Sequence, residues 1–399
     1  MAGDDFACRS NVGVAPQEQL LGIKPGSRHL SIGLPAEHNG GEKRFPLTPE
    51  GVALLTREGF AVLIERGAGE GIKYSDLHYT EAGAQAVEPA EVFRCDVVLK
   101  ITPLNEEEAA SIRPGGLLLT LLQPQYQSAS VLKVLMQKRV TAVAIDRVVD
   151  DKGRYLFADI LDEIDGRAAI VLASELLSNR SGGKGVLLGG VPGVAAAEVL
   201  IIGGGLAGRA AARAASGLGA LVRIFDNDFY RLRATQLEVG PSVFTSNMHP
   251  HVLENAMRSA DVVIGTEVPD RGRLGMNYVE MMKRGALLFD LCMDQGGCFE
   301  TSSCSEAPCN KVYEQCGVLH YCLSSVGSAV ARTASMALSN LLVPLLMELN
   351  DPAMLYGHIK TDDRLRNAVY LFGGKLTHKE LSLRLGLPYY DMALFMSMF

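Results

Sequence analysis

The stretch that most constrains this chain is Val199-Leu200-Ile201-Ile202-Gly203-Gly204-Gly205-Leu206-Ala207-Gly208, followed by Arg209-Ala210-Ala211-Ala212. It predicts a short apolar strand, a glycine turn and an alanine-rich helix. Gly203, Gly205 and Gly208 have the G-x-G-x-x-G spacing of a dinucleotide site. The first glycine permits the tight turn, the second lets a pyrophosphate approach the backbone, and the third lets the helix pack close to the strand. The helix N-terminus then offers unpaired N–H groups and a partial positive charge to phosphates. A second strand, residues 220–225, ends at Asp226. That carboxylate lies about twenty residues past the glycines, where the fold places an acid on the ribose hydroxyls. A carboxylate there repels a 2′-phosphate, so NAD is expected over NADP.

A chain of 399 residues suggests two domains. Hydrophobic residues make up 48% and charged residues 21%, the balance of a globular protein. The net charge of −7 gives no support to nucleic acid or anionic membrane as a partner. No run approaches the ~18 consecutive apolar residues expected of a bilayer span. The acidic start Met1-Ala2-Gly3-Asp4-Asp5-Phe6 lacks a basic and apolar leader, so cytoplasm is the expected compartment. Six of the eight cysteines fall between Cys292 and Cys322, yet no pair has C-x-x-C spacing. A metal site on Cys304, Cys309 and Cys316 is the alternative; free thiols are the better reading, and no metal is assigned.

In chain order, residues 1–28 read as an irregular arm. Strand signals follow near residues 29–34, 61–65, 96–100, 116–122 and 140–145, with helices at 50–58, 75–82 and 128–138. Thr48 caps the first helix and Pro49 stands just inside it. This alternation predicts a parallel-sheet α/β domain. Residues 156–177 read as a long linking helix. Further strands are expected near 261–265, 285–290 and 317–322, with a helix at 230–238. Residues 329–349 read as a long buried helix that Pro344 should kink or break, returning to the first domain or lying at a subunit interface. The tail carries Tyr370-Leu371-Phe372, an amphipathic segment at 379–385 and an apolar end at 392–399.

Four further stretches carry a family resemblance. They are Glu42-Lys43-Arg44-Phe45-Pro46-Leu47-Thr48-Pro49, Asp96-Val97-Val98-Leu99-Lys100, Asp290-Leu291-Cys292-Met293-Asp294-Gln295-Gly296-Gly297-Cys298, and His320-Tyr321-Cys322 with Arg332-Thr333. Together they resemble the alanine dehydrogenase family, which shares its fold with the NAD-binding subunit of proton-pumping transhydrogenase. The resemblance covers residues 29 to 350. It implies two Rossmann-like α/β domains with parallel sheets, the NAD domain (158–329) inserted into the substrate domain (29–157 plus 330–399). It implies NAD-dependent, reversible oxidative deamination of L-alanine to pyruvate and ammonia, in a homo-oligomer, usually a hexamer.

Carried over residue by residue, the resemblance makes Arg44 the grip on the substrate carboxylate, a task that suits a guanidinium fork. It places Lys100 at the substrate, where an ammonium polarises a carbonyl or imine. It makes Asp294 the catalytic carboxylate, also next to the cofactor, accepting the amine's proton or activating water. Asp226 becomes the ribose acid, with Arg231 and Ser246 as weaker cofactor contacts. Alone, each has a plain structural reading: a solvated loop arginine, a surface lysine at a strand end, an aspartate capping the Gln295-Gly296-Gly297 turn.

Three positions depart from the family pattern. The usual histidine aligns with Gln123, which can donate a hydrogen bond but cannot shuttle a proton at neutral pH. The asparagine beside the nicotinamide aligns with Ser325. A serine before the interdomain glutamate aligns with Asp162, and an aspartate near a pyrophosphate repels it. These departures keep two alternatives open: a related dehydrogenase of another amino acid, of opine or saccharopine type, and a catalytically silent NAD(H)-binding protein. His249, His251 and His320 attract no role.

Overall fold

The computed structural model describes residues 30–38, 41–270, 272–303, 312–322, 325–349, 357, 359 and 362–392. The expected arm at 1–28, Cys304, Cys309 and the end of the tail from 393 lie outside them.

Among the described residues the chain forms two sheets. The first opens with β1 (Ser31–Leu34), β2 (Ala61–Glu65), β3 (Gln85–Val87), β4 (Val97–Leu99), β5 (Leu117–Thr120) and β6 (Thr141–Ala144). The second contains β7 (Glu198–Ile202), β8 (Leu221–Phe225), β9 (Val243–Ser246), β10 (Val262–Gly265), β11 (Leu287–Asp290), β12 (Tyr313–Gln315) and β13 (Val318–Tyr321). The chain then returns to the first sheet with β14 (Val369–Phe372) and β15 (Lys375–Leu376). The first sheet has the order β15-β14-β6-β5-β4-β1-β2-β3, and the second β12-β13-β11-β10-β7-β8-β9. Pairing is parallel throughout except at β12–β13, β14–β15 and β14–β6. The second unit is therefore inserted into the first, as the fold class required. Strands β4, β5 and β6 bury every residue, the pattern of a parallel sheet covered on both faces.

The first helix follows its local signals. Thr48 Oγ1 accepts from Gly51 N at 3.5 Å, and Pro49 occupies the first helical position of Pro49–Arg57. The linking helix spans Leu156–Leu177 and lies against Leu206–Gly217, the helix behind the glycine turn. Small residues allow this approach. A Cβ placed on Gly166 would lie 2.1 Å from the Ala207 carbonyl oxygen.

The long apolar helix runs Ala331–Glu348 after a 3-10 turn at Val326–Val330. Of the expected kink or break at Pro344, the break does not occur, and the helix runs through it. Pro344 lies on the exposed side, while Leu342, Val343, Leu345 and Leu346 are buried around it. Burial of that stripe outweighs the missing backbone hydrogen bond. Leu338, Leu342 and Leu346 join the core beneath β1, β2 and β4, so the helix returns to the first sheet. By length and composition, Val326–Glu348 is long and apolar enough to cross a membrane, against the expectation of no such run; half of that window is buried inside the fold.

The sequence did not announce β3, β9, β14 or β15, which are short and lie toward sheet edges. Replacing Gly166 by Ala should force the two helices apart and cost about 1–3 kcal/mol. Thermal unfolding checks this against Gly217→Ala, where a Cβ meets nothing within 4 Å. Equal melting temperatures for the two variants would show that the helix pair relaxes freely.

Candidate active site

The glycine turn sits at the C-terminal end of β7. Gly203 has φ 104°, a conformation closed to most side chains. A Cβ on Gly208 would lie 2.0 Å from Gly203 O, so the third glycine does let the helix meet the strand. Asp226 ends β8 and is 9% exposed. Its Oδ2 accepts from Gly204 N at 2.6 Å and its Oδ1 from Asp228 N at 2.8 Å. Asp226, expected at the ribose, thus fastens the glycine turn. A crevice of about 350 Å³ opens here, lined by Gly203, Asp226, Asn227, Arg231, Met248 and Glu267 among others.

Two cofactor expectations change in detail. Arg231 reaches the crevice, but its guanidinium is engaged by Glu267, with Asp226 at 3.7 Å. Ser246 does not line the crevice. Its carbonyl accepts from Asp226 N at 3.1 Å and its hydroxyl donates to Asn247 O at 3.1 Å, so it supports Asp226 from behind. Glu267 was missed altogether. It follows β10 at the carboxyl end of the sheet, where ligands of such folds collect. A Cβ on Gly205 would lie 2.2 Å from Glu267 Oε1, so this carboxylate fronts the glycine turn.

A second cleft, about 420 Å³, lies between the sheets. Its lining includes Arg44, Gln123, Asp146, Asp162, Asp165 and Asp294, together with Gly205, Leu206 and Ala207 from the start of the dinucleotide helix. Three sequence-predicted residues, Arg44, Gln123 and Asp294, therefore meet the glycine turn in one space.

Arg44 is 2% exposed. Its Nε and Nη2 grip Glu42 at 2.9 and 2.7 Å, and Glu42 also accepts from Ser328 Oγ. Burial works to raise the Glu42 carboxyl, but the Arg44 charge holds it below its ordinary value. Nη1 makes no hydrogen bond to a described residue, which leaves donors for a ligand. Gln123 adopts φ 39°, ψ 66°, rare for a residue with a Cβ, and precedes the 3-10 turn Pro124–Tyr126.

Lys100 departs from its expected place. It does not line the cleft. Its ammonium donates to Ala36 O at 3.1 Å and to Glu37 Oε2 at 3.1 Å, with Glu108 Oε1 at 3.3 Å. Glu37 also accepts from Ile101 N and from the Thr102 hydroxyl. The lysine is the buried counter-ion of two glutamates. Ser325 is likewise outside the lining; it is 6% exposed, and its hydroxyl makes no hydrogen bond within the described residues.

Five carboxyl groups line the cleft, those of Glu267 and four aspartates. Asp294 stands on the turn Met293–Gln295, just beyond β11. Burial first, then Asp146 and Asp165, push its carboxyl up to about 6. Asp162 is raised to about 7, by burial and then by Asp165 and Asp294. Asp165 is raised to about 6 by burial, with Arg44 and the Gly327 N–H opposing. Asp146 is raised by burial while accepting from Leu122 N at 2.8 Å. Asp162 was anticipated as a departure. Asp165 lies one helical turn after it, and Asp146 just past β6; an isolated aspartate in either context carries no motif.

Part of the cysteine-rich segment lies behind the site. Cys292 and Cys298 are buried with sulfurs 3.1 Å apart. With Asp290 they form a group whose ligand atoms lie within 4.8 Å of one another. Asp290 accepts from Cys292 N, Cys298 N and Phe299 N, so it ties the Met293–Gly297 turn together. His320 is a hydrogen-bonded strand residue, joined to Val318 O and Thr301 Oγ1.

Comparisons with known proteins show the family of the chain. Residues 33–164 match the N-terminal domain of the alanine dehydrogenase/PNT family, and residues 169–379 its C-terminal domain. The chain is 35% identical over 376 residues to alanine dehydrogenase of Mycolicibacterium smegmatis, covering 92% of this chain and 100% of that one. It is 34% identical over 369 residues to alanine dehydrogenase of Staphylococcus saprophyticus, covering 91% and 99%. A solved L-alanine dehydrogenase superposes with a TM-score of 0.80 at 32% identity, covering 89% of this chain and 98% of that one. A transhydrogenase from Sinorhizobium meliloti shares the fold, with a TM-score of 0.71 at 22% identity over 88% and 99% of the two chains. The chain belongs to the alanine dehydrogenase/PNT family.

Proposed function

We propose that this protein is an NAD-dependent alanine dehydrogenase, interconverting L-alanine and water with pyruvate and ammonium. One observation carries the reading. Arg44 and Asp294 face the same cleft as the helix start Gly205–Ala207, so a carboxylate grip and a proton acceptor stand beside the dinucleotide turn. The residues present fit NAD: Gly203 and Gly208 make the cradle, and Asp226 stands where the ribose hydroxyls would come. When bound, NAD supplies the hydride acceptor.

The roles follow from the atoms. Arg44 takes the substrate carboxylate through Nη1 while Glu42 holds the rest of the fork. Asp294 accepts the proton of the amine or of the water that attacks the iminium carbon. Gln123 donates an amide hydrogen bond to the 2-oxo oxygen in the reverse direction. Lys100 acts from outside the cleft, fixing Glu37 and the loop after β1. We assign residues 29–157 with 330–399 to the substrate half and 158–329 to the dinucleotide half. Self-association into a homo-oligomer fits the exposed Phe229, Tyr230, Leu237 and Phe244 on one side of the second unit; light scattering reads it.

The reading predicts NADH consumption with pyruvate and ammonium. Asp294→Asn should lower kcat at least about 100-fold while leaving NADH binding intact. Near-normal turnover in that variant would remove the role given to Asp294. The sign of the pH dependence also follows. A proton acceptor raised to about 6 works only when ionised. The kcat/KM for L-alanine should therefore fall about tenfold per pH unit below that value. A flat profile between pH 5 and 7 in pre-steady-state measurements would contradict it. With Asp226 at the ribose, NADP should support turnover at least about tenfold more weakly than NAD; equal rates would overturn the assignment.

A further inference from the structure

We propose that the returning C-terminal segment is part of the active-site machinery: through Gln127 it holds the Leu122–Gln123 turn, which makes Gln127 and Arg384 positioning residues for Gln123. The proposal rests on the dehydrogenase reading and on the hydrogen bond given there to Gln123.

Gln123 lines the cleft in a conformation that must be enforced. Its φ of 39° and ψ of 66° lie in the left-handed region, which disfavours a residue with a Cβ. Pro124 follows it, and a proline drives the residue before it toward extended backbone. Both preferences oppose what is observed, and such strain persists only where the surroundings hold it. Tyr126 N donates to Gln123 O at 3.0 Å, which closes the 3-10 turn after Gln123. The peptide before Gln123 is fixed by side chains.

Leu122 is held at three points. Its N–H donates to Asp146 Oδ1 at 2.8 Å. Its carbonyl accepts from Gln127 Nε2 at 2.8 Å. Its side chain is fully buried in a cluster with Tyr370, Leu371, Leu376 and Leu381 of the returning segment. The second hold bears directly on Gln123. A planar peptide links the Leu122 carbonyl to Gln123 N, so fixing that carbonyl fixes the plane about which φ of Gln123 is set.

Gln127 is in turn held by the returning segment. It is 4% exposed, where an amide needs partners. Tyr370 on β14 shares a side-chain hydrogen bond with it. Arg384, on helix Lys379–Leu385, donates from Nη2 to Gln127 O at 2.6 Å, across 257 positions of the chain. Gln127, Tyr370 and Arg384 do not line the cleft, so their route to the chemistry runs through Gln123.

The test is a double-variant cycle read as kcat/KM for pyruvate at saturating NADH and ammonium. Gln127→Met should lower it about tenfold or more in the wild type, because a displaced donor misses its near-attack geometry. In the Gln123→Ala background the same change should cost less than about twofold, since no amide is left to position. Arg384→Met, at an exposed side chain, should repeat the pattern with a smaller loss, and it decides the matter if Gln127→Met does not fold. An equal loss in both backgrounds, or no loss in the wild type, overturns the proposal. If Gln123→Ala keeps normal turnover, the role of Gln123 falls; if the wild type turns nothing over, the dehydrogenase reading falls. In either case the clamp is decided by melting temperature. Gln123→Gly should melt above Gln123→Ala, because glycine takes a positive φ freely. That gap should close when Gln127→Met or Arg384→Met is added. A gap that is absent, or equal in both backgrounds, overturns the proposal.

Discussion

The site depends on one close approach. Helix Leu156–Leu177 meets helix Leu206–Gly217 where Gly166 faces the Ala207 carbonyl, with no room for a side chain between them. The same helix carries Asp162 and Asp165 in the turn before that contact. The crossing therefore fixes carboxylates at the positive end of the dinucleotide helix. Negative charges at the helix start stabilise it through the macrodipole. They also compete with the phosphates that such a helix start attracts. The glycine turn and the acidic face are one mechanical unit, and neither can be moved without the other.

Polar satisfaction explains the remaining placement. Glu42 holds Arg44 in a two-point grip, and Ser328, from the turn before the long apolar helix, closes the other side of Glu42. Ser335 and Ser339 of that helix accept from Phe45 N and Thr48 N. The loop that bears Arg44 is thus seated on residues nearly 300 positions later in the chain. A guanidinium so held presents its free edge in one direction, which is what recognition of a planar carboxylate asks of it.

Features encoded by local geometry were legible in the sequence. The glycine turn, Asp226 and the ends of helix Leu156–Leu177 follow from spacing, backbone sterics and apolar length. Asp294 was legible only through the family resemblance of the Asp290–Cys298 stretch, and it lines the cleft. Features that depend on non-local partners were not. A lysine at a strand end reads the same whether it faces substrate or two buried glutamates; Glu37 and Glu108 come from other segments. Pro344 reads as a break until the buried leucines on either side are known. Asp146, Asp165 and Glu267 are single acids without a motif, visible only once the sheets bring them to one space.

The inserted topology has a consequence for how the chain reaches this state. β6 pairs with β14, and Val143 and Val369 are partners across that join. The whole second sheet is synthesised between them. Until the tail is delivered, the last parallel strand of the first sheet presents an open edge, a template for pairing with other chains. Pairings across such long separations also form slowly. The first sheet, begun before the second, is completed after it, and the hairpin β14–β15 works as its closing seal.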